Sequence, residues 1–203
     1  GYLTLNDYPF RRYRIKTLKP KHKFLLPDEL EKLESLELTG KSIAYRHSLE
    51  AFLFCCYTGL RYSDFTQLSE KNIVFIEKRP WIIFTTIKTG AEVRLPLALL
   101  FGGKGWKLLR KHQKHLNEFF HLKANSTVNK DLIRIGKLAG IQKHFSFHSA
   151  RHTNATLLIY KGVNITTVQK LLGHRNVTTT QIYSEVMATT IVNDLKKCSK
   201  GNR

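Results

Sequence analysis

Three things are scarce in this 203-residue chain: acidic side chains, cysteine and long apolar runs. Asp and Glu number 15 against 34 Lys and Arg, a net charge of +19. A surface that basic draws polyanions, and ribosomal or heparin-binding proteins share the property with DNA-binding ones. The basic residues are spread along the chain, which favours a folded basic surface over a disordered basic arm. Cysteine occurs as an adjacent pair, Cys55-Cys56, inside an apolar run, and once more at Cys198. That spacing supplies neither a disulfide framework nor a zinc site, and it fits a reducing, cytoplasmic compartment. No stretch is long and apolar enough for a membrane span, and no signal-like leader opens the chain, so a membrane partner is not expected. Internal repeats and a phosphate-cradling glycine loop are also missing.

What is present is a hydrophobic fraction of 42%, enough for a real core. Residues 1–23 are basic and broken by Pro9 and Pro20, and read as a linker or N-terminal arm ahead of a domain at 24–203. Pro27 followed by Asp28 and Glu29 marks a helix start. A second helix is expected from about Ile43 to Tyr57, buried because its later half is apolar all round. Gly59 suits a left-handed turn that ends it, so Arg61 emerges beside a rigid element. Ser63 and Asp64 are placed to cap the short helix that follows. Segments 72–77, 81–87 and 92–97 are rich in Ile, Val, Phe and Thr and read as strands, with Lys88 entering the turn at Thr89-Gly90-Ala91. Ser126 is expected to cap an amphipathic helix with Val128, Leu132, Ile135 and Ala139 inward and Lys130, Arg134 and Lys137 outward. His112, His115 and His121 have a spacing that would allow a metal pair, but no acid or Cys completes a set, so they read as solvated or groove-facing. Further helices are expected over 148–161, 165–172 and 178–184, and a weakly amphipathic tail from about residue 187. The fold class is mainly α with a small three-stranded antiparallel sheet.

Chemistry concentrates between His148 and Tyr183. If the segment is helical, His148 and Arg151 share one face, because residues three apart are neighbours on a helix. His174 follows a glycine C-cap at Gly173, and Tyr183 comes soon after. Two imidazoles, a guanidinium and a phenol together are suited to holding a phosphate while an oxygen nucleophile attacks it. Each residue alone has a plainer reading. Arg61 could satisfy helix-end carbonyls, Lys88 could be an exposed edge lysine, His148 a capping histidine and Tyr183 an interface phenol.

Taken together, Thr58-Gly59-Leu60-Arg61, Lys88-Thr89-Gly90, His148-Ser149-Ala150-Arg151-His152, Leu172-Gly173-His174 and Tyr183 resemble the tyrosine recombinase (phage-type integrase) family. The likeness runs from about Phe24 to Met187 with the motifs in order. Residues 1–23 resemble the interdomain linker of integrases from conjugative transposons of the Bacteroidetes type. The resemblance implies the catalytic-domain fold shared with type IB topoisomerases. It also implies site-specific cutting and rejoining of DNA by transesterification, through a 3′-phosphotyrosyl intermediate and a Holliday junction. Arg61 and Arg151 would hold the non-bridging oxygens, where a planar, permanently charged fork binds best, and His174 would add a third hydrogen bond. His148 would be the base for Tyr183, and Lys88 the acid for the departing 5′-oxygen. His152 and Asp64 would support rather than react. No cofactor or metal is implied. Partners would be double-stranded DNA and further copies of the chain in a tetrameric synapse, with the tail exchanged between protomers or packed in cis. A topoisomerase-like relaxing enzyme and a DNA-binding module that does not cleave are the alternative readings.

Overall fold

The computed structural model describes residues 23–183. The linker expected over 1–23, its last residue aside, and the tail expected from about 187 lie outside them. Helix α1 (Pro27–Glu34) starts as its sequence requires: Pro27 takes the first position, and the Glu29 carboxylate accepts the Leu26 N–H at 2.7 Å. Just before it, Leu25 is fully buried, and its N–H donates to Thr153 Oγ1 at 2.9 Å. The expected start of the second helix at Ile43 falls instead in a 3₁₀ segment, Gly40–Tyr45. There the Ser42 hydroxyl donates back to the Thr39 carbonyl at 2.6 Å, which suits the tighter i→i+3 winding.

Helix α2 (Arg46–Thr58) is the centre of the molecule. Every residue from Ser48 to Thr58 is buried. Phe52 packs on Phe145 and Phe147, and Phe54 on Phe65, Phe119 and Phe120. Each such side chain contributes about 1.5–3 kcal/mol on leaving water, so α2 is rigid by burial and not by intrinsic propensity. After α3 (Tyr62–Phe65) come β1 (Ile73–Ile76), β2 (Arg79–Thr85) and β3 (Glu92–Pro96), an antiparallel meander in that order. Ile82 pairs with Ile73 on one side and Leu95 on the other. Ile82, Val93 and Leu95 are buried. The turn between β1 and β2 places Glu77 and Lys78 at φ 49° and 62°, as a two-residue I′ hairpin requires.

Helices α4 (Lys104–Lys111), α5 (Leu116–Phe120), α6 (Asn125–Leu138), α7 (Phe147–Tyr160), α8 (Ile165–Leu172) and α9 (Thr178–Gln181) complete the described chain. Helices α1, α4, α5, α6 and α7 all pack on α2, and α8 lies against β3. One expectation fails here and another is narrowed. Ser126 does not cap α6: the helix begins at Asn125, and the Ala124 carbonyl accepts from the Thr127 and Val128 amides at 2.9 and 3.0 Å. Of the two placements expected for His112, solvated or groove-facing, it takes the second, lining a groove with Ile43, His47 and His115. Its ring stacks on Phe119 with centroids 4.4 Å apart, and Nε2 lies 2.7 Å from Oε2 of buried Glu50, whose other oxygen takes Lys111. A buried carboxylate must be paired, and the end of α4 supplies both partners from adjacent positions. His115 and His121 are exposed. Among the described residues no group of three or more His, Cys, Asp or Glu could hold a metal ion, and no helix is long and apolar enough to cross a membrane.

Candidate active site

Helix α7 carries both His148 and Arg151, as the spacing predicted. The Ser149 N–H donates to the Ser146 carbonyl at 2.8 Å, and the Ser146 N–H to Ser149 Oγ at 3.1 Å, so the first turn is closed at both ends. One turn along, Arg151 is only 3% exposed. Its Nη1 donates to the Gly59 carbonyl at 2.7 Å and its Nη2 to the Leu172 carbonyl at 2.5 Å. These oxygens end α2 and α8, where helix carbonyls carry partial negative charge. The guanidinium therefore staples two helix C-termini. Burial lowers its pKa to about 10 and the Arg61 charge acts the same way, opposed by Tyr183 and Asp64; Arg151 stays charged at neutral pH.

Glycine is required at both stapled ends. Gly59 has φ +75°, and a Cβ there would sit 2.7 Å from Leu172 Cδ2 and 2.8 Å from Asn154 Oδ1. Asn154, one turn beyond Arg151 on α7, donates to the Cys56 carbonyl at 3.0 Å and ties the same end of α2. Gly173 has φ +62°, with Val93 Cγ2 2.7 Å from a Cβ placed there, so α8 ends hard against the sheet.

Arg61 precedes α3 in extended backbone. Its Nη1 lies 3.4 Å from Asp64 Oδ2, and Asp64 Oδ1 accepts the Ile87 N–H at 3.1 Å. Asp64 was expected to cap α3, as was Ser63, but α3 has no side-chain cap. The Asp64 side chain, 1% exposed, instead bridges an arginine and a distant hairpin, the strongest donors within reach of a buried carboxylate. That bridge brings the β2–β3 turn to Arg61. Lys88, in that turn, is exposed.

His174 follows Gly173 and is half-buried, with Nδ1 2.9 Å from Thr180 Oγ1. Thr180 is fully buried. Burial lowers the His174 pKa to about 4, with Arg151, Arg61 and Lys88 pushing the same way, so the ring is neutral at pH 7. If the Thr180 hydroxyl donates to Nδ1, the neutral imidazole carries its proton on Nε2, the tautomer that donates to an anionic oxygen.

Tyr183 is 5% exposed. Burial raises its phenol pKa above the ordinary value, while Arg151 and Arg61 both pull it down. His152 stands between Tyr183 and His148, with ring centroids 5.4 Å from the phenol and 4.6 Å from the other imidazole. His148 itself is exposed. Arg61 and Arg151 thus act on one another, on His174 and on Tyr183, Lys88 acts on His174, and the His148 ring meets that of His152, which meets Tyr183. Sequence reasoning overlooked Thr180, Thr89, Arg175 and Asn154. Nothing local separates Thr180 from Thr178 and Thr179, and the Thr89 and Arg175 contacts span the length between hairpin and α8.

A mainly helical domain with a three-stranded antiparallel meander, its two remote arginines brought to a histidine and a buried tyrosine, is the class of fold and site this chain presents. Residues 23–189 match the Phage integrase family, and the chain belongs to it. A tyrosine recombinase of Pseudothermotoga lettingae is 34% identical over 169 residues, 81% of this chain and 56% of that protein. Tyrosine recombinase XerA of Saccharolobus solfataricus is 34% identical over 143 residues, 69% of this chain and 46% of its own length. The chain therefore spans about half the length of these relatives. Among solved structures, XerA recombinase superposes with TM-score 0.65 at 22% identity, covering 88% of this chain and 66% of that one. A lambda integrase(75–356) dimer bound to a COC′ core site superposes with TM-score 0.66 at 22% identity, covering 85% and 62%. The fold is that of tyrosine recombinase catalytic domains.

Proposed function

We propose that this chain is the catalytic portion of a site-specific DNA recombinase or integrase. In this reading residues 24–203 are the catalytic domain, with a tail from about 187, and residues 1–23 lead from a DNA-clamping part of the same protein. One observation carries the proposal: Arg151 donates to the Gly59 carbonyl, two residues from Arg61, so two guanidiniums far apart in sequence meet beside His174 and the buried Tyr183. A phosphodiester repels nucleophiles by its charge, and a free phenol with a pKa of about 10 is a weak one. The two guanidiniums and His174 Nε2 offset charge on the non-bridging oxygens as it builds toward the transition state. The Tyr183 oxygen then bonds to phosphorus, its proton passing to His148, and the bond to the 5′-oxygen breaks with a proton from Lys88. The 3′-phosphotyrosyl bond retains the phosphodiester energy, so a 5′-hydroxyl of a second duplex reverses the step with no nucleotide cofactor.

Double-stranded DNA is then the substrate, and strand exchange through a Holliday junction calls for a tetrameric synapse, with the tail passed between protomers or packed in cis. Structures similar to this one include a lambda integrase tetramer bound to a Holliday junction and a XerH post-cleavage complex. The net charge of +19 favours such a partner, and a DNA-associated, cytoplasmic location in a bacterium belongs to the same reading. A nicked recombination site tests the chemistry, because loss of the short strand beyond the nick traps the covalent adduct. The chain should form it and Tyr183→Phe should not. An adduct with Tyr183→Phe removes the nucleophile assignment.

A further inference from the structure

The turn that carries Lys88 is tied on both flanks, and one tie comes from a residue with no role in the chemistry above. Within the turn, the Thr86 N–H donates to the Ala91 carbonyl and the Gly90 N–H to the Thr86 carbonyl, both at 2.9 Å. Ahead of Lys88, Asp64 holds the Ile87 amide. Behind it, Thr89 is held twice by the link between α8 and α9. Its Oγ1 donates to the Gly173 carbonyl at 3.0 Å, and its carbonyl accepts from Arg175 Nε at 2.8 Å. Arg175 is itself exposed, but its backbone is braced: Gln169 Nε2 donates to the His174 carbonyl at 3.1 Å and reaches the Arg175 carbonyl at 3.4 Å. Gly90, at φ +65°, leaves room for this approach, since a Cβ there would meet only Arg175 Nη2, at 3.8 Å. The Lys88 side chain is a flexible stem in water, so the position of its amine is set only by where the turn is held.

We infer that Arg175 is a positioning residue: with Thr89 it latches the β2–β3 turn onto the His174 segment and so fixes the reach of the Lys88 amine. The inference rests on the recombinase reading, in which Lys88 protonates the leaving oxygen. A guanidinium suits the latch because its Nε–H points sideways from the stem, a direction an ammonium cannot reproduce while keeping the same reach. Without the latch the turn keeps its internal hydrogen bonds and its tie to Asp64, and it loses its registry with His174. The cost falls on proton delivery alone, since the arginines are held by other contacts.

The leaving group separates this from a general loss of order. A site whose bridging 5′-oxygen is replaced by sulfur expels a thiolate, which leaves without an acid because a thiol is far more acidic than an alcohol. Single-turnover adduct formation is measured on oxygen and sulfur substrates for the wild type, Arg175→Ala, Arg175→Lys, Lys88→Ala and the Lys88→Ala/Arg175→Ala double variant. Loss of a general acid costs roughly 10²-fold or more, and loss of its positioning a part of that, about tenfold. Arg175→Ala and Arg175→Lys should therefore slow the oxygen substrate about tenfold, match the wild type on the sulfur substrate, and bind DNA within about twofold of it. Adding Arg175→Ala to Lys88→Ala should slow the oxygen substrate no further. Equal slowing on both substrates, additive losses in the double variant, weaker DNA binding with normal chemistry, or no slowing would each overturn the latch. A wild type that forms no adduct with either substrate removes the recombinase reading, and the latch with it.

Discussion

The two ends of the candidate site are built in opposite ways. Arg151 is buried and bound to two helix ends; Lys88 sits exposed on a turn held by a few hydrogen bonds. The difference matches the roles proposed for them. Charge that must face the phosphate throughout the reaction is best preorganised, because a fixed cation needs no reorganisation when the transition state forms. An acid that must give up a proton benefits from water around it, since burial beside two arginines would drive its proton off too early. The first arrangement links catalysis to folding, and the second separates them.

Removing the Arg151 side chain should break that contrast most severely. Arg151→Ala leaves two buried helix-end carbonyls without their donor, costing on the order of 3 kcal/mol of stability. Adduct formation should drop by about 10²–10³-fold as a charge-stabilising donor is lost. Urea denaturation and the nicked-site assay read the two effects. Gly59→Ala tests the same end through backbone alone, and an Ala at φ +75° that also collides with Leu172 and Asn154 should cost about 2–3 kcal/mol in urea. Lys88→Ala should do the reverse, leaving the unfolding midpoint unmoved while cleavage of an oxygen substrate falls about 10²-fold. If Lys88→Ala destabilises the fold as much as Gly59→Ala, the two ends do not differ as described.

The smallest effect is one of pH. His174 has its folded pKa depressed to about 4 against an ordinary 6.5, so between those values the unfolded chain binds a proton that the native one does not. Its contribution to stability is complete above about pH 6.5 and is lost as pH falls toward 4. His174→Gln should show a shallower fall in urea midpoint between pH 7 and pH 4.5 than the wild type. An equal fall would place the titrating group elsewhere.

Local chemistry made much of this legible in the amino-acid order. A helix apolar on every side, as Ala51 to Tyr57 is, has only one place to go, and Gly59 marks its end because no other residue takes that turn cheaply. The strands and both motif helices follow from periodicity and from glycine. What stayed hidden depends on contacts across the chain. Asp64 looks like a cap from its neighbours, yet Ile87 and Arg61 claim its oxygens. Glu50 gives no sign that it will be buried until α4 brings Lys111 and His112 over it. Arg175 reads as one more surface cation in a basic chain, and only the fold shows it bound to Thr89.

The Leu25 amide has a mechanical consequence. It hangs on the Thr153 hydroxyl, two positions from Arg151 on the same helix. The point where the chain enters the fold is thereby pinned within one helical turn of the buried Arg151 guanidinium.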